Sequence, residues 1–338
     1  MRIGSDSIAP PELQAYDLIP PVELFPLPQE GVNNTNIGVH TGRGDFILRT
    51  VLYLHDRAAL DYEHRLLHWL AARRLTFAVP LPIPTRDGAL LSSGPHGWST
   101  LTPRLPGTCL DPMQPSHSAL LGAVVGELHV ALQHYLPVAR PAHPLFGTLF
   151  DFPRPRHEPF ILMPAHVGLP DGAPYDALLA WWRAEAAQGQ AFVADAYRTL
   201  PWQLCHNDVT PTNVLVNHGK VSGVLDWEFA TPAPRALDVA MGLRMVMRVW
   251  ENPEPWEIVR RFCHGYRCWT RMTEAEVRAL PQLMRLRGAI TVLWWLGRSD
   301  PAARADLIAT RIRFLRNVVD WLAQYEAQLV AIVMREMV

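Results

Sequence analysis

Apolar positions along this chain fall into two regimes. Up to Thr102 they form short strand-like runs around one helical segment; from Ser116 they recur with a helical period. Ile37–His40 and Asp45–Val51 flank the turn Thr41-Gly42-Arg43-Gly44 and predict a β-hairpin. Ala58–Leu75 places Leu60, Leu66, Leu67, Leu70 and Ala71 on one face and predicts an amphipathic helix. Ala89–Leu91 and Trp98–Thr102 predict two further strands. Pro103-Arg104-Leu105-Pro106-Gly107 then ends the β-rich part as a hinge. Ahead of all this, the prolines between Pro10 and Pro28 predict an extended lead-in, with room for a helical turn over Pro11–Leu18.

In the second regime Leu120, Leu121, Val124, Val125, Leu128 and Leu132 make a broad helical stripe, with Ser116 or Ser118 as N-cap. Pro137–Pro174 is a long Pro- and His-rich connection, and Ala177–Tyr197 is again helical. Val214–Val216, the turn Asn217-His218-Gly219-Lys220, and Val221–Leu225 predict a second hairpin. Val239–Val249 is another apolar run. Helical periods fill the chain from Trp256 to the end, broken at Pro281 and Pro301.

The polar residues that interrupt this pattern carry the chemistry. Cys205–Val216 contains His206, Asp208 and Asn213 at the spacing H-x-D-x-x-x-x-N, and the hairpin after it ends on Asp226. Phosphoryl transfer can use such a set: one Asp meets the attacking hydroxyl, while the Asn and the later Asp offer hard oxygens to Mg²⁺. That assigns Asp208 to the hydroxyl and Asn213 and Asp226 to the metal. His206 has no second His at ligand spacing and reads as a buttress of the loop. The polar stretch Gly31–Asn36 opens the first hairpin, and Asn33, Asn34, Thr35 and Asn36 can present backbone N–H groups and short side chains to phosphates. Glu63 lies among apolar helix neighbours and calls for a cation on the preceding strands. Lys220 is the only lysine in the chain, so Arg49 is the strand-borne candidate.

Composition narrows the function classes. The chain has 338 residues, 49% hydrophobic and 19% charged, as expected of a folded protein with a sizeable core. A net charge of -1 gives no whole-chain basis for a nucleic-acid or membrane partner. The cysteines Cys109, Cys205, Cys263 and Cys268 are too sparse for a disulfide framework, and Cys263-His264 with Cys268 lacks a second pair at zinc spacing. The N-terminus has neither the basic nor the apolar region of a signal peptide, and Leu329–Met334 is too short to span a bilayer. The expectation is a reduced, cytoplasmic protein, monomer or homodimer.

On His206-Asn207-Asp208…Asn213, Val224-Leu225-Asp226-Trp227-Glu228-Phe229-Ala230 and Pro234-Arg235-Ala236-Leu237-Asp238-Val239-Ala240, the chain resembles the aminoglycoside phosphotransferase and choline kinase superfamily, nearest to its type II homoserine kinase-like branch. Gly31–Asn36, Glu63 and Glu127-Leu128-His129 support the likeness, which spans about residues 28 to 300. It implies an α+β, bilobal protein-kinase-like fold: a Pro-rich lead-in over 1–27, a small β-rich N-lobe over 28–103 and a larger, mainly helical C-lobe over 104–338. It implies ATP with Mg²⁺, Asp208 as catalytic base, Asn213 and Asp226 at the metal, and Asp238 bracing the catalytic loop. Thr102, Arg104 and Leu105 would belong to the hinge whose backbone meets the adenine. The departure is the phosphate-gripping lysine, replaced by Arg49, whose forked donors bind phosphate with different geometry.

The acceptor is a small-molecule alcohol, a homoserine-like or other amino alcohol or an aminoglycoside. Residues 230–338 carry sixteen Arg against eleven Asp and Glu, which tilts against a strongly cationic aminoglycoside. A homoserine-like amino alcohol could use an arginine clamp, from Arg244, Arg248 or Arg298, plus a carboxylate such as Glu228. Trp294 and Trp295 could pack against it. Two other classes are weighed beside the kinase: a catalytically weak, pseudokinase-like nucleotide-binding module, and a metal-dependent hydrolase built on His206 and Asp208.

Overall fold

The structure is a computed structural model and describes residues 10–27, 34–51, 57–95, 97–136, 175–296 and 301–338; the side chains of residues 175, 294–296 and 301–305 lie outside that description. The long connection and Asn33 therefore fall outside the described residues. The chain divides into two compact units. The first comprises residues up to Thr108 together with Leu215–Glu228; the second holds Cys109–Leu136, residues 175–214 and Phe229–Val338.

The first unit begins with one turn of 3₁₀ helix, Pro11–Ala15, and a short strand β1 (Glu23–Phe25). β2 (Asn34–Thr41) and β3 (Gly44–Val51) form the predicted hairpin, with Asn36 opposite Arg49 and Ile37 opposite Leu48. Helix α1 (Arg57–Ala71) follows and buries Leu60, Leu66, Leu67 and Leu70. β4 (Ser92–Gly94) and β5 (Gly97–Pro103) complete an antiparallel five-stranded sheet in the order β1-β2-β3-β5-β4. Leu13, Tyr16, Val39, Leu48 and Leu101 form the core on one side of it. The strand expected over Ala89–Leu91 starts later, at Ser92. The reason is local: the Ala89 carbonyl accepts from both the Thr85 N–H and hydroxyl, so the chain is still turning there.

After the two-residue strand β6 (Thr108–Cys109), the second unit opens with α2 (Pro115–Leu132). Gln114 is its N-cap residue and Pro115 takes the first helical position. Ser118, expected as a cap, instead donates its hydroxyl to the Ile258 carbonyl at 2.8 Å. Helix α3 (Tyr175–Ala194) and the short α4 (Ala196–Thr199) lead into β7 (Trp202–Cys205). The chain then makes the His206–Asn213 loop and the hairpin β8 (Val214–Asn217) and β9 (Lys220–Val224). His218 and Gly219, both at positive φ, turn that hairpin as Asn-His-Gly-Lys predicts.

β10 (Thr231–Pro234) pairs antiparallel with β7, Thr231 opposite Cys205. Helices α5 (Ala236–Met247), α6 (Trp256–Arg267), α7 (Glu274–Leu296) and α8 (Pro301–Met337) pack around α2 and α3. α2 and α6 approach closely enough that a Cβ at Gly265 would strike the Ala119 carbonyl oxygen. Pro281, expected to break the helix, sits inside α7. Proline forfeits one backbone bond, a cost of about 3 kcal/mol, but Val277, Leu280, Leu283 and Met284 bury the same stretch and hold it helical.

Candidate active site

The second unit carries the Asp208 loop. β7 ends at Cys205, and two backbone N–H groups come next with no strand partner. Asp238, in the first turn of α5 and fully buried, takes both: His206 N–H at 3.0 Å on Oδ2 and Asn207 N–H at 2.6 Å on Oδ1. Its place near the helix N-terminus favours the carboxylate further. Asn207 adopts φ 63°, a left-handed conformation unusual for a side-chain-bearing residue. Its Nδ2 donates to the carbonyls of Phe229 at 3.2 Å and Thr231 at 3.0 Å, which holds that conformation in place. The Asp208 N–H donates to His206 Nδ1 at 3.2 Å, so His206 is a buttress inside the loop.

Asp208 itself keeps some exposure, 19% of its side chain. The Asn213 amide donates to the Asp208 carbonyl and to its Oδ2, both at 2.9 Å. That orientation leaves the Asn213 amide oxygen as the group on offer. Oδ1 of Asp208 pairs with Arg287 Nη2 at 3.1 Å. Arg287 is a residue that reasoning from the sequence missed. Burial lowers the pKa of its guanidinium, against the upward pull of Asp208. A signal was present: one arginine inside the run Leu286–Leu293, where Thr291 is the only other polar residue, is a buried charge in need of a partner.

His129, on α2, sets Nδ1 3.0 Å from the Tyr266 hydroxyl and Nε2 3.6 Å from Asp238 Oδ2. His129, Asp238 and Cys205 are close enough to be considered as metal ligands. The donor chemistry fits a structural knot better. Both Asp238 oxygens already accept backbone N–H groups, and burial pushes the Cys205 thiol well up, so it stays protonated.

The first unit carries the charged cluster of β3 and α1. Glu63 lies on the core-facing side of α1 in line with Leu60, Leu66 and Leu67, and is 4% exposed. An unpaired carboxylate there would be costly, and Arg49 reaches it from β3 with contacts of 2.6 and 3.3 Å. Glu228 lies 3.4 Å from Arg49 and accepts the Asn34 amide at 3.1 Å. Glu63, Glu228 and Asp226 together hold the Arg49 guanidinium above its ordinary pKa, against the effect of burial. Its Nε–H is buried and has no hydrogen-bond partner among the described residues. An orphaned donor on a half-buried cation suits a phosphate oxygen. Asp226 stands at φ 61°, a second left-handed residue at a candidate functional position.

The remaining expected residues are dispersed. Thr35 is exposed, and Asn36 is half-buried opposite Arg49. Thr102 pairs with Ile47, Arg104 reaches Asp45 at 3.3 Å, and Leu105 is half-buried. Arg248 ends α5 and pairs with Glu251. Trp294 lies on α7 with its side chain outside the described residues, as does Arg298 entirely.

A β-rich unit with one helix, a mainly helical unit, and the His206–Asn213 loop braced by Asp238 define a small-molecule kinase of protein-kinase-like fold. The chain belongs to the phosphotransferase enzyme family, whose family profile matches residues 26–280. It is 30% identical to a homoserine kinase of Acidiphilium cryptum over 81% of this chain and 82% of that one. It is likewise 30% identical to a homoserine kinase of Rhizobium meliloti, over 86% of each. Among solved structures it is similar in fold to a microcompartment-associated aminopropanol kinase, at TM-score 0.66 and 18% identity over 94% of this chain and 96% of that one. It is also similar to the amicoumacin kinase hAmiN in complex with AMP-PNP, Ca²⁺ and Ami, at TM-score 0.63 and 17% identity over 91% of each. Among the described residues no helix is long and apolar enough to cross a membrane.

Proposed function

We propose that the protein transfers the γ-phosphoryl group of ATP, with Mg²⁺, to the hydroxyl of a small amine-bearing metabolite, a homoserine-like or other amino alcohol. The observation that carries this reading is the Asp208 loop: a partly exposed carboxylate fixed by Asn213 and Arg287 on a backbone locked by Asp238. A base in phosphoryl transfer must be placed rather than strongly basic, because the chemistry is mostly positioning and charge stabilisation.

The chain's own residues then take defined roles. Asp208 accepts a hydrogen bond from the acceptor hydroxyl, aligns its oxygen and takes its proton as the bond to phosphorus forms. The Asn213 amide oxygen and the Asp226 carboxylate are hard donors of the type Mg²⁺ prefers. Arg49, buttressed by Glu63, offers its fork to phosphate oxygens in place of a lysine. Mg-ATP, when bound, supplies the electrophilic phosphorus and neutralises the charge of the leaving diphosphate. The 30% identity to homoserine kinases supports an amino-alcohol acceptor.

The test is ADP release against amino acids, choline-like amines, aminoglycosides and sugars. Asp208→Asn is expected to cut kcat by about 10³-fold with the active acceptor; full activity in that variant would overturn the assignment. The missing lysine motivates a second reading, a nucleotide-binding module with little turnover. Thermal stabilisation by Mg-ATP with no ADP release across the panel would favour it.

A further inference from the structure

Thr291 stands one helical turn beyond Arg287 on α7, between the buried, apolar Ile290 and Val292. Its hydroxyl donates to the Arg287 carbonyl at 2.9 Å and accepts from Arg287 Nη1 at 3.0 Å. The first bond uses the single hydroxyl proton, so what faces the guanidinium is a lone pair. The other arm of the same guanidinium, Nη2, lies 3.1 Å from Asp208 Oδ1. Among the described residues the Thr291 hydroxyl bonds to no other element. A threonine hydroxyl bonded back to residue i−4 does not strengthen a helix and often bends it. Valine would fill the same space without that cost, so the hydroxyl calls for a role outside the helix.

That role follows from the shape of arginine. Its stem is flexible, but its guanidinium is a planar fork, so tying one arm fixes where the other points. With Nη1 held by Thr291, α7 presents Nη2 to Asp208 as a preset donor. Asn213 holds the other carboxylate oxygen, Oδ2, at 2.9 Å. Gripped on both oxygens, the Asp208 carboxylate is held against rotation, and its remaining lone pairs face a fixed direction.

We propose that Thr291 is a positioning residue for phosphoryl transfer: by fixing the plane of the Arg287 fork it sets the orientation of the Asp208 carboxylate toward the acceptor hydroxyl. This rests on the kinase reading and extends its machinery from the loop to α7. As the acceptor oxygen bonds to phosphorus and the bond to the leaving diphosphate breaks, the hydroxyl proton passes to Asp208. Arg287 and Thr291 keep their own protons throughout.

The experiment uses the full chain with Mg-ATP and L-homoserine, 3-amino-1-propanol or kanamycin, whichever the parent turns over fastest. Thr291→Val is expected to lower kcat by about 10-fold, with the KM for ATP within about twofold and the urea midpoint near that of the parent. Thr291→Ser, which restores the hydroxyl, is expected to recover most of the rate. In an Arg287→Met background Thr291→Val should cost less than about twofold, because its effect passes through Arg287. Thr291→Ala runs in parallel, so a valine variant that fails to fold leaves the test intact. A second readout needs no turnover: ¹⁵N spectra of the guanidinium groups, with the Arg287 signal identified by its loss in Arg287→Met. The Arg287 fork is expected to rotate slowly in the parent and faster in Thr291→Val. A kcat within about twofold of the parent, an undiminished loss in the Arg287→Met background, an equal loss in Thr291→Ser, or a loss that merely follows a lowered urea midpoint overturns the inference. Fork rotation that does not depend on Thr291 also overturns it. A Thr291-dependent fork in a parent that releases no ADP with any acceptor keeps the relay and sinks the kinase reading. Full ADP release by Thr291→Val does the reverse.

Discussion

Asp238→Asn tests the brace that places Asp208. The substitution preserves volume and shape but replaces one acceptor oxygen with an NH₂ donor. In the native chain both oxygens accept buried backbone N–H groups, at 3.0 Å from His206 and 2.6 Å from Asn207. The amide can satisfy one of these, and it turns a donor toward the other. An orphaned buried donor costs about 1–3 kcal/mol, and the remaining bond loses its charge assistance, about 1 kcal/mol more. The expected destabilisation is therefore about 2–4 kcal/mol, seen as a lower urea midpoint with an unchanged m-value. The functional effect should fall on kcat. With its N–H released, Asn207 is held at φ 63° by its Nδ2 bonds alone, and Asp208 next to it loses part of its placement. An Å-scale misplacement of a reacting group costs about 10²-fold. ADP-release kinetics should show kcat reduced by about that factor, with the KM for ATP within twofold. A variant within 0.5 kcal/mol (roughly the error of such a comparison) and with kcat within twofold of the parent would refute the brace.

Arg49→Met removes the cation from between Glu63 and Glu228, and breaking one partner of a buried pair should cost about 3–5 kcal/mol, measured by denaturant unfolding. Arg49→Lys keeps the charge without the fork; it should recover most of that stability yet change the KM for ATP, and an unaltered KM would count against Arg49 as the phosphate grip. Arg244 gives a pH-dependent signature. Burial, with Arg287 and Arg311 nearby, lowers its pKa to about 10, so its charge penalises the folded state at every pH below about 10, and that penalty fades as pH rises above 10. The shift corresponds to about 3 kcal/mol, so Arg244→Met should stabilise the ligand-free protein by up to that amount at pH 7 and progressively less above pH 10. A less stable variant at pH 7 would show that an unrecognised anion already neutralises the group.

Much of the molecule was legible along the chain because its signals are local. The β2–β3 hairpin follows from alternation around Thr41–Gly44, and the β8–β9 hairpin from Asn217-His218-Gly219-Lys220. H-x-D-x-x-x-x-N with Asp226 after a hairpin announced a phosphoryl-transfer chemistry, and the family comparisons place the chain among the phosphotransferases. Even the Arg49–Glu63 pair could be inferred, since a Glu on the apolar face of an amphipathic helix demands a cation and no lysine was at hand.

Other features were decided only by packing between distant segments. Ser118 is a sound cap by local chemistry, yet α6 offers it the Ile258 carbonyl. Pro281 breaks an isolated helix but not one buried along both flanks. Above all, the partners of Asp208 and Asp238 come from distant segments: Arg287 lies 79 residues from Asp208, and His129, which approaches Asp238, sits on α2. Sequence by itself marked the candidate reacting groups, because loop chemistry is written in adjacent residues. The tertiary structure decided which buried charges face one another, because desolvation and pairing depend on what the fold brings near.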